Sequence, residues 1–161
     1  GGIRLLVDEI NRNRDKSVDE IEKIVNQLIP RVRIMAIPET LTYLLRGGRL
    51  SKLDWLFGSI LSIKPIIGIK EGKVAVLAKK RGIKHSMSYI AKALAEFDCD
   101  ENHEIIASYT YNKDNLEALL ALTDEKYHKQ IKVYDNLDPA VACHWGPNAF
   151  GFIFVSKSAE W

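Results

Sequence analysis

Apolar residues at Ile3, Leu6, Val7 and Ile10 recur at the three-to-four-residue spacing of one helical face, so residues 3–12 predict a first helix. The pattern restarts in DKSVDEIEKIVNQLIP, where Ile21, Ile24, Val25 and Leu28 share a face. Ser17 and Glu20 have the spacing of a capping box, which satisfies two orphan N–H groups at once, and Pro30 ends the helix. The period drops to two in RVRIMAI, which predicts a strand. ETLTYLLR predicts a short helix, with Glu39 or Thr40 near its start and Gly47 where a left-handed cap is tolerated. A further helix is predicted from Ser51, its N-cap, to about Ser62.

The remaining pattern alternates between the two periods. KPIIGIKEGKVAVLAKKRG predicts two strands about Glu71-Gly72-Lys73. KHSMSYIAKALAEF and DNLEALLALTDEKY predict helices, and HEIIASYTY and IKVYDN predict strands. PAVACHWG and FGFIFV read as two last strands joined by a turn containing glycine and proline. No repeat, low-complexity tract or linker interrupts the series. The expected fold is one α/β domain over residues 1–161, a layered α+β arrangement whose mixed, largely antiparallel sheet is flanked by helices.

Composition narrows the function classes. The chain of 161 residues is 47% hydrophobic and 27% charged, enough to bury a substantial core, and its net charge of +2 argues against a dedicated nucleic-acid binder. Cys99 and Cys143 are the two cysteines and have no CxxC spacing, which suits a reducing, cytoplasmic setting. No apolar run reaches the roughly 18 residues that predict a membrane span. His85, His103, His128 and His144 lack metal-ligand spacing, so neither a metal nor a cofactor is expected.

Four stretches carry candidate chemistry. In RGGR, residues 46–49, the glycines suit a helix stop, and open backbone N–H groups beside an arginine fork also suit a carboxylate or phosphate. The Gly-Lys-Ser/Thr ending of a nucleotide-triphosphate loop is missing. LDWLFGSILSIKPIIGI is too apolar for a helix with one buried stripe, and the excess suits either core or an apolar slot. In CHWGPNAFG, His144 is a candidate hydrogen-bond donor to an anion. On a strand Cys143 and His144 would point to opposite faces, which disfavours their acting as a nucleophilic pair. Lys79, Lys80, Arg81 and Lys84 form a basic run, by default a solvated surface and alternatively a dock for an acidic partner.

Taken in order, TLTYLLRGGRLSK, GSILSIKPIIGIKEGKV, KKRGIKHSM and HWGPNAFG resemble the segments of the DegV family of fatty-acid-binding proteins. The resemblance runs from Gly1 to Val155. It implies a two-domain protein in which this chain is the C-terminal, lipid-binding domain and the N-terminal domain is absent. It places Arg49 and His144 at the ligand carboxylate, and Arg81 where a partner kinase docks. The apolar 53–67 stretch then offers the acyl slot, with Leu56, Ile60, Ile63 and Ile66 along it. The implied function is a carrier that presents a long-chain fatty acid to a separate fatty acid kinase for phospholipid synthesis. Trp145 is bulkier than the small polar residue usual after the histidine, and Asn148 replaces a common glycine while tolerating positive φ. Two competing readings are a hydrolase or phosphotransferase using His144 or Arg49, and a structural or interaction domain using the basic run.

Overall fold

The computed structural model describes residues 1–50, 62–135 and 137–160 of the chain. Helix α1 (Gly2–Arg12) and helix α2 (Val18–Leu28) open it, and the Ser17–Glu20 capping box forms in full at the start of α2. Pro30 sits in a single 3-10 turn that leads into β1 (Val32–Ile37). Helix α3 (Thr42–Arg46) follows. The strands β2 (Ile63–Lys70) and β3 (Lys73–Arg81) are joined by a two-residue turn in which Glu71 and Gly72 both have positive φ, the geometry that matches strand twist in tight hairpins. After α4 (Ile83–Glu96) come β4 (Ile105–Tyr109), α5 (Asp114–Ala121), β5 (Ile131–Tyr134), α6 (Pro139–Trp145) and β6 (Phe150–Val155). The helix expected over residues 51–62 falls almost wholly outside the described residues.

The six strands form one sheet in the order β3-β2-β1-β6-β4-β5. Every pairing is antiparallel except β4 with β5, whose connection through α5 is the helix crossover that a parallel pair requires. The architecture is therefore the mixed, largely antiparallel α/β sheet that the pattern predicts.

Alternation along the strands divides the apolar residues between two layers. Met35 and Ile37 of β1, Ile66 of β2 and Phe150, Phe152 and Phe154 of β6 face α4 and α5, where Ile90, Leu94, Leu116 and Leu119 complete the main core. The opposite face carries two smaller clusters. One joins Leu5 and Leu28 of the first two helices to Ile106, Ile153 and Val155. The other joins Leu41, Leu44 and Leu50 to Ile67, with Val74, Val76 and Trp145 packed against it.

One element departs from the sequence pattern. Residues 139–145 form a helix where a strand was expected. Asp138 caps its first turn, its Oδ1 accepting from the Ala140 N–H at 2.8 Å, and Pro139 occupies the first turn, where its missing N–H costs nothing. Gly146, at φ +77, closes it. Cys143 and His144 are thus successive residues of a helix, about 100° apart around its axis. The Cys143 thiol is exposed and donates to the Ala140 carbonyl at 3.3 Å.

Candidate ligand-binding site

A cavity of about 420 Å³ opens between the two smaller clusters on the α1/α6 face of the sheet. Its floor follows from register. Ala36 of β1 stands opposite Gly151 of β6, which stands opposite Ser108 of β4. Three small residues in a row across adjacent strands leave a depression beside the next row on the same face, Val74, Ile69, Ile34 and Ile153, and all of these residues line the cavity. Gly151 has no room for more. An added Cβ would lie 2.1 Å from the Met35 carbonyl oxygen and 2.6 Å from the Ala36 Cα, so the close approach of β1 to β6 requires glycine there. The walls come from Ile3 of α1, Leu44 of α3, and Val141, His144 and Trp145 of α6.

The nitrogen donors gather at one place. Arg49 and His144 both line the cavity, and both lie against Gly47. The Arg49 guanidinium donates from Nη1 to the Gly47 carbonyl at 2.7 Å. The His144 imidazole rests on the bare Gly47 Cα, where a Cβ would come within 2.1 Å of Nδ1. Among the described residues the imidazole has no hydrogen-bond partner, so its donor capacity is open to a ligand. Tyr43, one helical turn before Gly47, lays its ring on Gly146, where a Cβ would meet Cδ2 at 2.3 Å. Helices α3 and α6 are therefore locked by two reciprocal contacts, each a ring seated on a glycine.

The two glycines of RGGR have separate roles. Gly48 carries the left-handed backbone, at φ +68, and nothing approaches its Cα. Gly47 has ordinary helical angles, φ −74 and ψ −3, so the left-handed cap lies one residue later than expected. The turn after His144 holds Asn148 at φ +57, with its amide donating to Glu39 Oε2 at 2.8 Å.

Of the other expected site residues, Ile66 is fully buried in the core beneath α4, on the far face of the sheet. Ile63, half-buried at the start of β2, does not line the cavity either. Leu56 and Ile60 lie outside the described residues. Arg81 is exposed and pairs with Ile63 at the end of the β2–β3 hairpin remote from Val74, which puts it roughly 20 Å from the cavity at ~3.3 Å per residue. The floor residues Ala36, Ser108 and Gly151 carry no mark in the sequence pattern, because only strand register brings them together.

A mixed sheet with an apolar hollow on one face and an Arg–His pair at its edge defines an α/β protein with a concave candidate site. The chain belongs to the DegV family, whose family model, described as an uncharacterised protein of the DegV family, matches residues 2–157. The DegV domain-containing protein SPs1668 of Streptococcus pyogenes is 30% identical over 162 residues, covering 92% of this chain and 52% of that protein. TTE1491, a DegV domain-containing protein of Caldanaerobacter subterraneus, is 30% identical over 142 residues, covering 88% and 51%. The chain thus spans about half the length of the curated relatives it matches. Among solved structures, the fatty acid binding DegV family protein SAG1342 from Streptococcus agalactiae superposes with a TM-score of 0.82 at 24% identity, over 98% of this chain and 55% of that one. The Streptococcus pneumoniae Fatty Acid Kinase (Fak) B3 protein loaded with linoleic acid does so with a TM-score of 0.81 at 19% identity, over 98% and 57%. At these identities the likeness establishes the fold.

Proposed function

We propose that this chain is the lipid-binding domain of a two-domain carrier. The acyl chain of a long-chain fatty acid crosses the Ala36–Gly151–Ser108 floor, and its carboxylate meets Arg49 and His144. The observation that carries this reading is the pairing of an apolar hollow with two nitrogen donors at one end. A volume of about 420 Å³ falls in the range of roughly 300–1,000 Å³ usual for small-molecule sites. Arginine remains charged at any physiological pH, and a charge-assisted contact with a carboxylate is stronger than a neutral hydrogen bond. The lining offers donors and apolar walls, which hold a carboxylate rather than attack it, so the carrier reading is favoured over the hydrolase reading.

On the same proposal the carboxylate is presented to a separate fatty acid kinase, with exposed Arg81 in contact with that partner. The distance of Arg81 from the cavity requires a partner broad enough to reach both. Lipid extracted from the purified protein should contain a long-chain acyl species by mass spectrometry, and palmitate should bind by calorimetry. Absence of both overturns the fatty-acid reading. Arg81→Ala should lower acyl-phosphate formation by the kinase while leaving palmitate affinity unchanged, and unchanged acyl-phosphate formation would remove Arg81 from the partner surface.

A further inference from the structure

Gly47 stands at the junction of the Arg49 and His144 side chains. Its Cα carries the His144 imidazole, its carbonyl accepts from Arg49, and its N–H donates to the Tyr43 carbonyl at 2.9 Å to continue α3. Its backbone angles are those of any helical residue, so conformation does not require a glycine here. Space does. An alanine methyl would start 2.1 Å from His144 Nδ1 and 2.7 Å from Cε1. The ring is the free end of a side chain and can rotate away, whereas the third neighbour of the methyl, the Tyr43 carbonyl oxygen at 3.2 Å, has to give by only a few tenths of an ångström.

We infer that Gly47 is a positioning residue for the anionic head group: its missing side chain sets where the His144 imidazole sits, and its carbonyl sets where the Arg49 guanidinium sits. This inference rests on the fatty-acid reading for its ligand, but not for its packing. The seat is a contact distance, so one methyl group must push Nδ1 outward by about 1.3 Å to reach ordinary van der Waals separation near 3.4 Å. A displacement of that size breaks a hydrogen bond whose heavy atoms belong within roughly 2.7–3.2 Å of each other. The apolar floor, made by β1, β4 and β6, is untouched. Gly47 therefore governs recognition of the carboxylate and leaves recognition of the chain alone.

The test compares palmitate with 1-hexadecanol, which shares the chain and lacks the charge. Gly47→Ala should weaken palmitate roughly tenfold, as expected for one lost hydrogen bond to a charged group, and leave hexadecanol affinity unchanged. In a His144→Ala background Gly47→Ala should have little further effect on the palmitate-to-hexadecanol ratio, since the two changes then act on the same contact. A Gly47→Ala protein that keeps the wild-type ratio overturns the inference. So does a crystal structure of that variant with the imidazole unmoved. Wild-type protein that binds palmitate no better than hexadecanol overturns the carboxylate reading instead, and the ring position in the variant still decides the packing claim.

Discussion

Filling the floor of the cavity should move stability and binding in opposite directions. Ala36 is 7% exposed and stands between Gly151 and Ile67 on neighbouring strands, with its Cβ directed at the hollow. Ala36→Leu adds three carbons above Gly151, which has no side chain to collide with them. In the empty protein those carbons gain up to ~0.8 kcal/mol each on burial, or about 2.4 kcal/mol at most. The melting temperature should therefore hold or rise by a few degrees, at roughly 2–4 °C per kcal/mol for a chain of this size. A bound acyl chain loses the same contacts, because three of its methylenes can no longer reach the floor. The expected penalty is again about 2.4 kcal/mol, or roughly 50-fold in Kd. Thermal melts and palmitate calorimetry on the two proteins measure both quantities. Wild-type affinity in Ala36→Leu would show that the acyl chain does not cross this floor. A loss of more than about 3 kcal/mol of stability, the upper range for overpacking, would show that no hollow exists there.

Three further outcomes follow from the same structure. His144→Ala should weaken palmitate roughly tenfold, while Arg49→Ala should cost only a few-fold and less still in high salt, because its side chain is exposed and screened; equal losses that ignore salt would refute the assignment. Burial alone would raise the Asp100 carboxyl, but hydrogen bonds from Asn102 and Arg31 outweigh it and hold the group below its ordinary value. A carboxyl held low stabilises the fold above its unfolded pKa of roughly 3.9 and loses that contribution as pH falls through the folded value. Asp100→Asn should therefore flatten the urea-measured stability profile below about pH 4, and a profile as steep as wild type would contradict this. Finally, the exposed Cys143 should react with a thiol reagent in the folded protein, whereas Cys99 is buried, its thiol pushed up to about 12 by burial and the nearby Asp100 charge, and should react only on unfolding; equal labelling rates by peptide mass spectrometry would refute it.

Much of the architecture is legible because local chemistry and fold agree. The Ser17–Glu20 spacing fixes the start of α2, and Glu71-Gly72 fixes the β2–β3 turn. Residues 139–145 mislead because the run is short and apolar apart from His144, with no helical period long enough to tell it from a strand. The helix signal is nonetheless present in Asp138-Pro139 at one end and Gly146 at the other. RGGR draws notice as a motif, yet only the tertiary fold shows that its first glycine supplies space and its second supplies backbone freedom. Ala36, Ser108 and Gly151 leave no trace at all. Each is an unremarkable small residue in a strand, and their meeting depends on pairings between segments up to 115 positions apart.

That last pairing also fixes when a binding site can exist. β6 lies at the centre of the sheet, hydrogen-bonded to β1 along six residues and to β4 on its other side. The buried Arg33 of β1 donates to the carbonyls of Ser158 and Glu160, just beyond β6. Until residues 150–160 have left the ribosome, β1 and β4 have no common neighbour and Arg33 lacks these acceptors. Such long-range pairing forms slowly. Until that pairing forms the floor is missing, and Ile34 and Ile106 lack the Ile153 that stands between them in the finished sheet. On the proposed function, a site for the acyl chain is complete only once β6 has paired with β1 and β4 and closed the sheet.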